Sequence, residues 1–341
     1  MPEFNTLNPS LKFAVTGGSG FLGKEIISML LNFGCSNIIS IARNPQHNFA
    51  GTKVKTISAD ITDLESFSKY FNGVDVVFHT AAKAAIWGKY EEFYNINTLG
   101  TENIINACIN NNVPVLIYTS SPSVVSSGAN LENVNESIPY PEKFYSYYAQ
   151  TKALAEQKIL KQKDNLKTIS LRPHLIWGAN DPHILPRIIK KSQSGKLIKV
   201  GGGRNIVDLT YIANAAFAHL LAADALFTNQ KLSGKAYFIT DDSPVNLWDW
   251  INHFLLEIGL NKINKSISSK KAFIAGKIFE AFYSLFNLRS EPPITAFSAL
   301  QLSHSHYFDI SAAKKDLGYH TAIDSDKAFQ TTVDFFKTTL S

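Results

Sequence analysis

A chain of 341 residues, 45% hydrophobic and 18% charged, is globular and long enough for a full doubly wound sheet plus a smaller lobe. The net charge of +5 is spread over scattered basic residues, and Lys190/Lys191, Lys270/Lys271 and Lys314/Lys315 read as solvated helix faces, which argues against a nucleic-acid partner. Cys35 and Cys108 are the only cysteines, each expected within a helix or at its end, so neither a disulfide framework nor a thiolate metal site is expected. No metal centre is assigned. The polar residues before Leu11 lack the charged start, apolar stretch and cleavage site of a secretory signal, and a cytoplasmic location is expected.

In chain order, a first apolar run over 12–16 reads as a buried strand and enters TGGSGFLG at 16–23, from which a helix-like stretch continues over 21–33. Gly17, Gly20 and Gly23 stand three apart. That spacing lets the backbone turn tightly, approach a pyrophosphate and pack helix on strand without an intervening Cβ. Phe21 and Leu22 then open a helix whose N-terminus offers free N–H groups and a positive dipole end to an anion. The second run, 37–42, ends in SIARNP. No carboxylate stands where a ribose-binding acid is usual; Arg43 does, and its planar fork suits a 2′-phosphate, so NADP(H) is preferred and NAD(H) is the alternative. The competing reading of Arg43 is a solvated loop residue. Asp60 and Ile61 follow the third run, 53–58, and HTAA at 79–82 follows the fourth, 74–79, so that these residues, with Ala81 and Ala82, frame the adenine and ribose. His79 itself reads as a core histidine whose hydrogen bonds are satisfied. Asn97, in INTLGTEN, opens a helix as a cap or joins a proton relay, with capping favoured.

The fifth run, 115–120, leads into YTSSPSVV, where a hydroxyl can orient a reacting oxygen and share its developing charge; Ser121 is the first choice and Ser123 the alternative. Tyr148 and Lys152 lie four apart in a helix running to about 162, so both project from one face. Moving a phenol from a pKa of about 10 to about 7 takes roughly 4 kcal/mol. One ammonium at about 4 Å supplies that order at an effective dielectric of about 20, which predicts a lowered pKa and an acid or base role for Tyr148. Tyr145 and Tyr147 lack a lysine at that offset and read as packing or substrate-contact residues. A sixth run over 168–172 precedes stretches punctuated by Pro173, Pro182, Pro186 and Gly201 to Gly203, and a last strand-like piece covers 236–240. Residues 271–288 carry aromatic and aliphatic side chains at mostly helical spacing, interrupted by Lys277 and Glu280. Two readings stand for them, a core helix and a lipid-facing lid or interfacial helix with peripheral membrane contact.

The alternation of strands and helices predicts an α/β fold, a Rossmann-type doubly wound parallel sheet with a smaller C-terminal substrate lobe. Residues 1–172 would form the NADP-binding domain, completed by about 206–240, with 173–205 and 241–341 as the substrate lobe. The motifs TGGSGFLG, Asp60, HTAA, NTLGT, YTSS and Tyr148-x-x-x-Lys152, in that order, resemble an extended short-chain dehydrogenase/reductase over roughly residues 11–335. LRPHLIWG at 171–178, DPHILPR at 181–187 and GGGRNIVDLTYIANAAFAHLLA at 201–222 look most like the 3β-hydroxysteroid dehydrogenase branch. Within it the resemblance is to sterol-4α-carboxylate 3-dehydrogenases and, through HTAAKAAIWGKYEEF, SPSVV and VNLWDWIN, to bacterial 2-alkyl-3-oxoalkanoate reductases.

The resemblance implies a catalytic set of Ser121, Tyr148 and Lys152, with Lys152 also on the nicotinamide ribose and Pro173 with His174 against the nicotinamide. Together these readings predict hydride transfer between NADP(H) and a ketone or secondary alcohol on a small lipid-like substrate. A homodimer is compatible with them. The rivals are a nucleotide-sugar epimerase or dehydratase holding NAD tightly, and a non-catalytic NADP-binding protein.

Overall fold

The computed structural model describes residues 4–45, 49–162 and 166–340. Seven strands, β1 (Phe13–Thr16), β2 (Ile38–Ala42), β3 (Lys55–Ser58), β4 (Val76–His79), β5 (Val115–Thr119), β6 (Lys167–Pro173) and β7 (Lys235–Ile239), form one parallel sheet in the order β7-β6-β5-β4-β1-β2-β3. Each lies within two residues of an expected run at either end. The order reverses between β1 and β4, and right-handed crossovers bring the loops after the strand C-termini to one edge at that reversal.

The inner strands β1, β2, β4 and β5 read as apolar runs because both faces of the sheet are covered there, whereas the edge strand β3 buries only Ile57. Phe13, Val15, Val76, Phe78, Val115 and Ile117 pack toward α1 (Phe21–Asn32), while Ala14, Val77, Leu116 and Tyr118 pack toward α2 (Gly100–Asn110) and α3 (Tyr147–Leu160). After α4 (Ile184–Gln193), the alanine-rich α5 (Ile212–Thr228) is apolar around most of its circumference. It is accordingly buried, between α1, the sheet and the short helix Ser311–Leu317.

Glu156 of α3 and Arg172 of β6 form a buried ion pair at 2.7 Å, and Tyr140 and Ser170 each donate to the same carboxylate at 2.7 Å. With most of its acceptor capacity satisfied, that carboxylate ties α3 to the sheet one turn beyond Lys152.

A smaller four-stranded sheet, Val245–Asn246, Ile206–Val207, His306–Phe308 and Leu131–Val134, joins the C-terminal third to the loop after β5. Residues 311–320 return to the main sheet, where Asp316 accepts from Lys235 and Tyr237, and Tyr319 donates to the Thr240 carbonyl. No helix among the described residues is long and apolar enough to cross a membrane.

Two local expectations are corrected. Asn97 does not cap a helix: the helical stretch begins at Tyr90, and residues Tyr94–Leu99 form a π turn inside it. There the buried Asn97 side chain bonds both the N–H and the carbonyl of Lys83 and the hydroxyl of Thr151, tying the loop after β4 to α3. Residues 271–288 are not a core helix. Of α7 (Ser269–Leu285), which follows α6 (Leu247–Glu257), only Ala272 and Gly276 are buried, because the helix lies against the lobe by one narrow face.

Candidate active site

At the β1–α1 turn, Gly17 takes a φ of +71°, and a Cβ there would lie 2.8 Å from the Ala81 nitrogen. A Cβ on Gly23 would lie 2.3 Å from the Gly17 carbonyl oxygen. Gly20 is the N-cap of α1 with no side chain bonded to the first turn, so those N–H groups face open space. A backbone cradle of this kind, kept clear of Cβ atoms at a helix N-terminus, fits a dinucleotide pyrophosphate. Substituting Gly23→Ala should force the turn apart, weaken NADPH binding at least tenfold in a fluorescence titration and lower the melting temperature, at a cost of about 1–3 kcal/mol. An unchanged melting temperature and affinity would contradict the close approach.

The cradle opens into a cavity of about 980 Å³, at the upper end of small-molecule sites. All the residues expected at the site line it: Gly17, Gly20, Phe21, Leu22 and Gly23 from the turn; Arg43, Asp60, Ile61, Ala81 and Ala82 from the loops after β2, β3 and β4; and Ser121, Tyr148, Lys152, Pro173 and His174 at the other end. Arg43 is exposed at the rim, its carbonyl accepting from Ser58. Asp60 holds its own loop by accepting from the N–H and hydroxyl of Thr62, both at 2.9 Å. His79 stays in the core between the hydroxyls of Thr16 (2.7 Å) and Thr101 (3.0 Å), and burial with the nearby Lys152 charge lowers its pKa to about 3.

Ser146 caps α3 by accepting from the Ala149 N–H, which starts the helix at Tyr147 and fixes Tyr148 and Lys152 in its first two turns. Ser121 caps the short 3-10 turn after β5 and accepts from the N–H and hydroxyl of Ser123, so Ser123 braces Ser121. The expected lowering of the Tyr148 pKa is absent: burial raises it, against an opposing hydrogen bond from Ser121. Lys152 is engaged elsewhere. Its ammonium donates to the Thr119 carbonyl at 2.5 Å and stands 4.1 Å from the centre of the Tyr118 ring, and burial lowers its own pKa to about 7 against the pull of Glu156.

Because that value lies below the unfolded one of about 10.4, the unfolded chain binds more protons between about pH 7 and pH 10. Stability carried through Lys152 therefore rises with pH across that window. Lys152→Met, which removes the buried charge, should raise the melting temperature of the cofactor-free protein by at least ~3 °C at pH 6, with the advantage shrinking toward pH 9. A difference that is independent of pH would contradict the burial of an ionisable lysine.

His174 is buried and its Nε2 lies 2.6 Å from Nδ1 of His306, whose Nε2 lies 2.8 Å from the Gln301 carbonyl. The carbonyl can only accept. His306 therefore donates from Nε2, His174 donates to it, and neutral His174 keeps an acceptor at Nδ1. Burial lowers both imidazole pKa values, and their mutual proximity lowers that of His174 further. His306 had no signal in the sequence, being 132 residues from its partner. The same cavity has Trp177, Trp248, Phe279, Ile294 and Phe297 on its wall, together with a charged group of Arg187, Lys191, Lys196 and Glu291, of which Arg187 and Glu291 are paired at 2.6 Å. A phenol and a hydroxyl sharing a cavity with a pyrophosphate cradle, its wall bearing large apolar side chains as well as charged ones, can protonate or deprotonate an oxygen on a substrate that is largely apolar.

Residues 14–268 match the profile of the 3-beta hydroxysteroid dehydrogenase/isomerase family. The chain is 40% identical over 325 residues to a 2-alkyl-3-oxoalkanoate reductase of Shewanella oneidensis, covering 93% of this chain and 84% of that protein. It is 31% identical over 339 residues to a decarboxylating sterol-4-alpha-carboxylate 3-dehydrogenase of Mus musculus, covering 97% and 92%. Among solved structures, a UDP-glucuronic acid 4-epimerase from Bacillus cereus in complex with NAD superposes with a TM-score of 0.72 at 21% identity, over 97% of this chain and 100% of that one, a likeness of fold.

Proposed function

The chain belongs to the 3-beta hydroxysteroid dehydrogenase/isomerase family, whose members are NAD(P)-dependent oxidoreductases, and on that premise we propose that it uses NADP(H) to interconvert a ketone and a secondary alcohol on a lipid-like substrate, of the 2-alkyl-3-oxoalkanoate or 3-oxo/3β-hydroxysteroid type. One observation carries the reading: Tyr148 and Ser121 share a single cavity with the glycine cradle of α1. The nicotinamide supplies or accepts a hydride when bound. The protein's part is the proton. With its pKa raised, Tyr148 is a neutral phenol at neutral pH, the form that can give its proton to a carbonyl oxygen as the substrate is reduced. Ser121 holds that same oxygen through its hydroxyl and shares its developing charge. Lys152 can exchange the Thr119 carbonyl for a ribose hydroxyl and, being cationic there, draw the phenol pKa back down for the reverse direction.

Arg43 at the rim suits a 2′-phosphate, and no carboxylate follows β2 to favour the free ribose. The aromatic and aliphatic part of the wall, Trp177, Trp248, Phe279, Ile294 and Phe297, suits alkyl chains or a fused ring, and the cations Arg187 and Lys191 suit an acid group on the same substrate. The test is NADPH consumption measured in parallel against 2-alkyl-3-oxo acids, 3-oxosteroids and UDP-sugars. Turnover confined to the first two classes is expected. NAD recovered tightly bound from the purified protein, with conversion of UDP-sugars and no net NADPH consumption, would overturn the reading in favour of an epimerase.

A further inference from the structure

We propose that α7 docks the protein on an anionic lipid surface, with one face of the helix on the bilayer and the other on the cavity. Ile274, Ile278, Phe282, Leu285 and Phe286 recur at three- and four-residue intervals along its outer face and are 47%, 63%, 51%, 79% and 59% exposed. A stripe of large apolar side chains this continuous marks a contact surface. The inner face carries Ala272, Ala275 and Phe279, all on the cavity wall. One helix thus separates the cavity from whatever covers the outside. Its far end is latched to the loop after β4: the Trp87 indole N–H donates to the Leu288 carbonyl at 3.1 Å and its ring meets Tyr283 edge-on, while neighbouring Ala84, Ala85 and Ile86 line the cavity.

Charge identifies the occupant. Residues 262–289 hold Lys262, Lys265, Lys270, Lys271, Lys277 and Arg289 against one acid, Glu280, which is engaged with Lys277 and the Ala296 N–H. By helical periodicity Lys270 and Lys277 border the apolar stripe and Lys271 stands at its N-terminal end, all three exposed. An apolar face edged by lysines is the arrangement that lies in the headgroup plane of anionic membranes. Since no described helix can span a bilayer, the contact is peripheral.

The experiment is co-sedimentation of the full chain with phosphatidylcholine vesicles containing roughly a third phosphatidylglycerol, against phosphatidylcholine alone. Binding to the anionic vesicles is expected, weakened by high salt. Phe282→Ser with Leu285→Ser, and separately Lys270→Gln with Lys271→Gln, should each lower the partition coefficient at least ~tenfold. Both pairs are exposed and lie off the cavity lining, so the melting temperature and the turnover of a water-soluble substrate should not change. Membrane binding is thereby tested apart from the proposed reaction. It is overturned if the wild-type chain ignores anionic vesicles or if neither double variant weakens binding. It is overturned equally if Phe282→Ser with Leu285→Ser turns a dimer into a monomer, which assigns the face to a second copy of the chain.

Discussion

Replacing Tyr148 with phenylalanine is expected to lower kcat by about a thousandfold, the scale of a lost general acid, while NADPH affinity changes less than about threefold. The ring occupies the same volume in either residue, so α3, its Ser146 cap and the glycine cradle stay as they are. Only the hydroxyl goes. Ser121 keeps its bonds from the N–H and hydroxyl of Ser123 and still orients the substrate oxygen, but an aliphatic hydroxyl is a far weaker acid than a phenol. A KM that holds while kcat collapses would separate loss of proton transfer from loss of binding. Retention of a tenth or more of the activity would mean that another group, or water, protonates the oxygen.

Exchanging Arg43 for glutamate should reverse the nicotinamide preference, changing the ratio of kcat/KM for NADPH over NADH by about 100-fold or more. A guanidinium donating two charge-assisted hydrogen bonds to a 2′-phosphate contributes on the order of 3 kcal/mol, and tenfold in a ratio is about 1.4 kcal/mol. A carboxylate at this place repels the phosphate and can accept from the two ribose hydroxyls. Arg43 makes no ion pair among the described residues, and the Asp60 carboxylate is held by Thr62. If the ratio stays where it was, Arg43 is a solvated loop residue and the 2′ position is read elsewhere.

The sheet was legible in the sequence because a parallel sheet covered on both faces imposes apolar runs on its inner strands, clearest in β1, β2, β4 and β5, while the edge strand β3 buries only Ile57. The site was legible where it is local. Three glycines and a Tyr/Lys pair define their geometry within eight and five residues, and the structure gathers them around one cavity. What depends on distant parts of the fold was not. Spacing placed Lys152 one turn from Tyr148 but could not report that Tyr148 is itself buried, which raises its pKa, nor that the Lys152 ammonium is taken by the Thr119 carbonyl. His306 reaches His174 only because a short strand of the lobe pairs with Leu131–Val134. Asn97 looked like a cap because asparagine favours caps, whereas the π turn around it is set by contacts to Lys83 and Thr151. The aromatic segment at 271–288 gave its helix but not which face would be covered, since an apolar stripe reads alike whether it meets a core or a lipid.

The proposed reaction needs a phenol and an ammonium to converge on the redox end of a bound dinucleotide, and a crystal structure of the NADPH complex measures this directly. It should place the nicotinamide between Pro173/His174 and Tyr148, with Lys152 moved from the Thr119 carbonyl to the nicotinamide ribose and the Tyr148 and Ser121 hydroxyls facing one side of the ring. A nicotinamide seated away from Tyr148, or a Lys152 side chain still on Thr119 and turned from the cofactor, would contradict it.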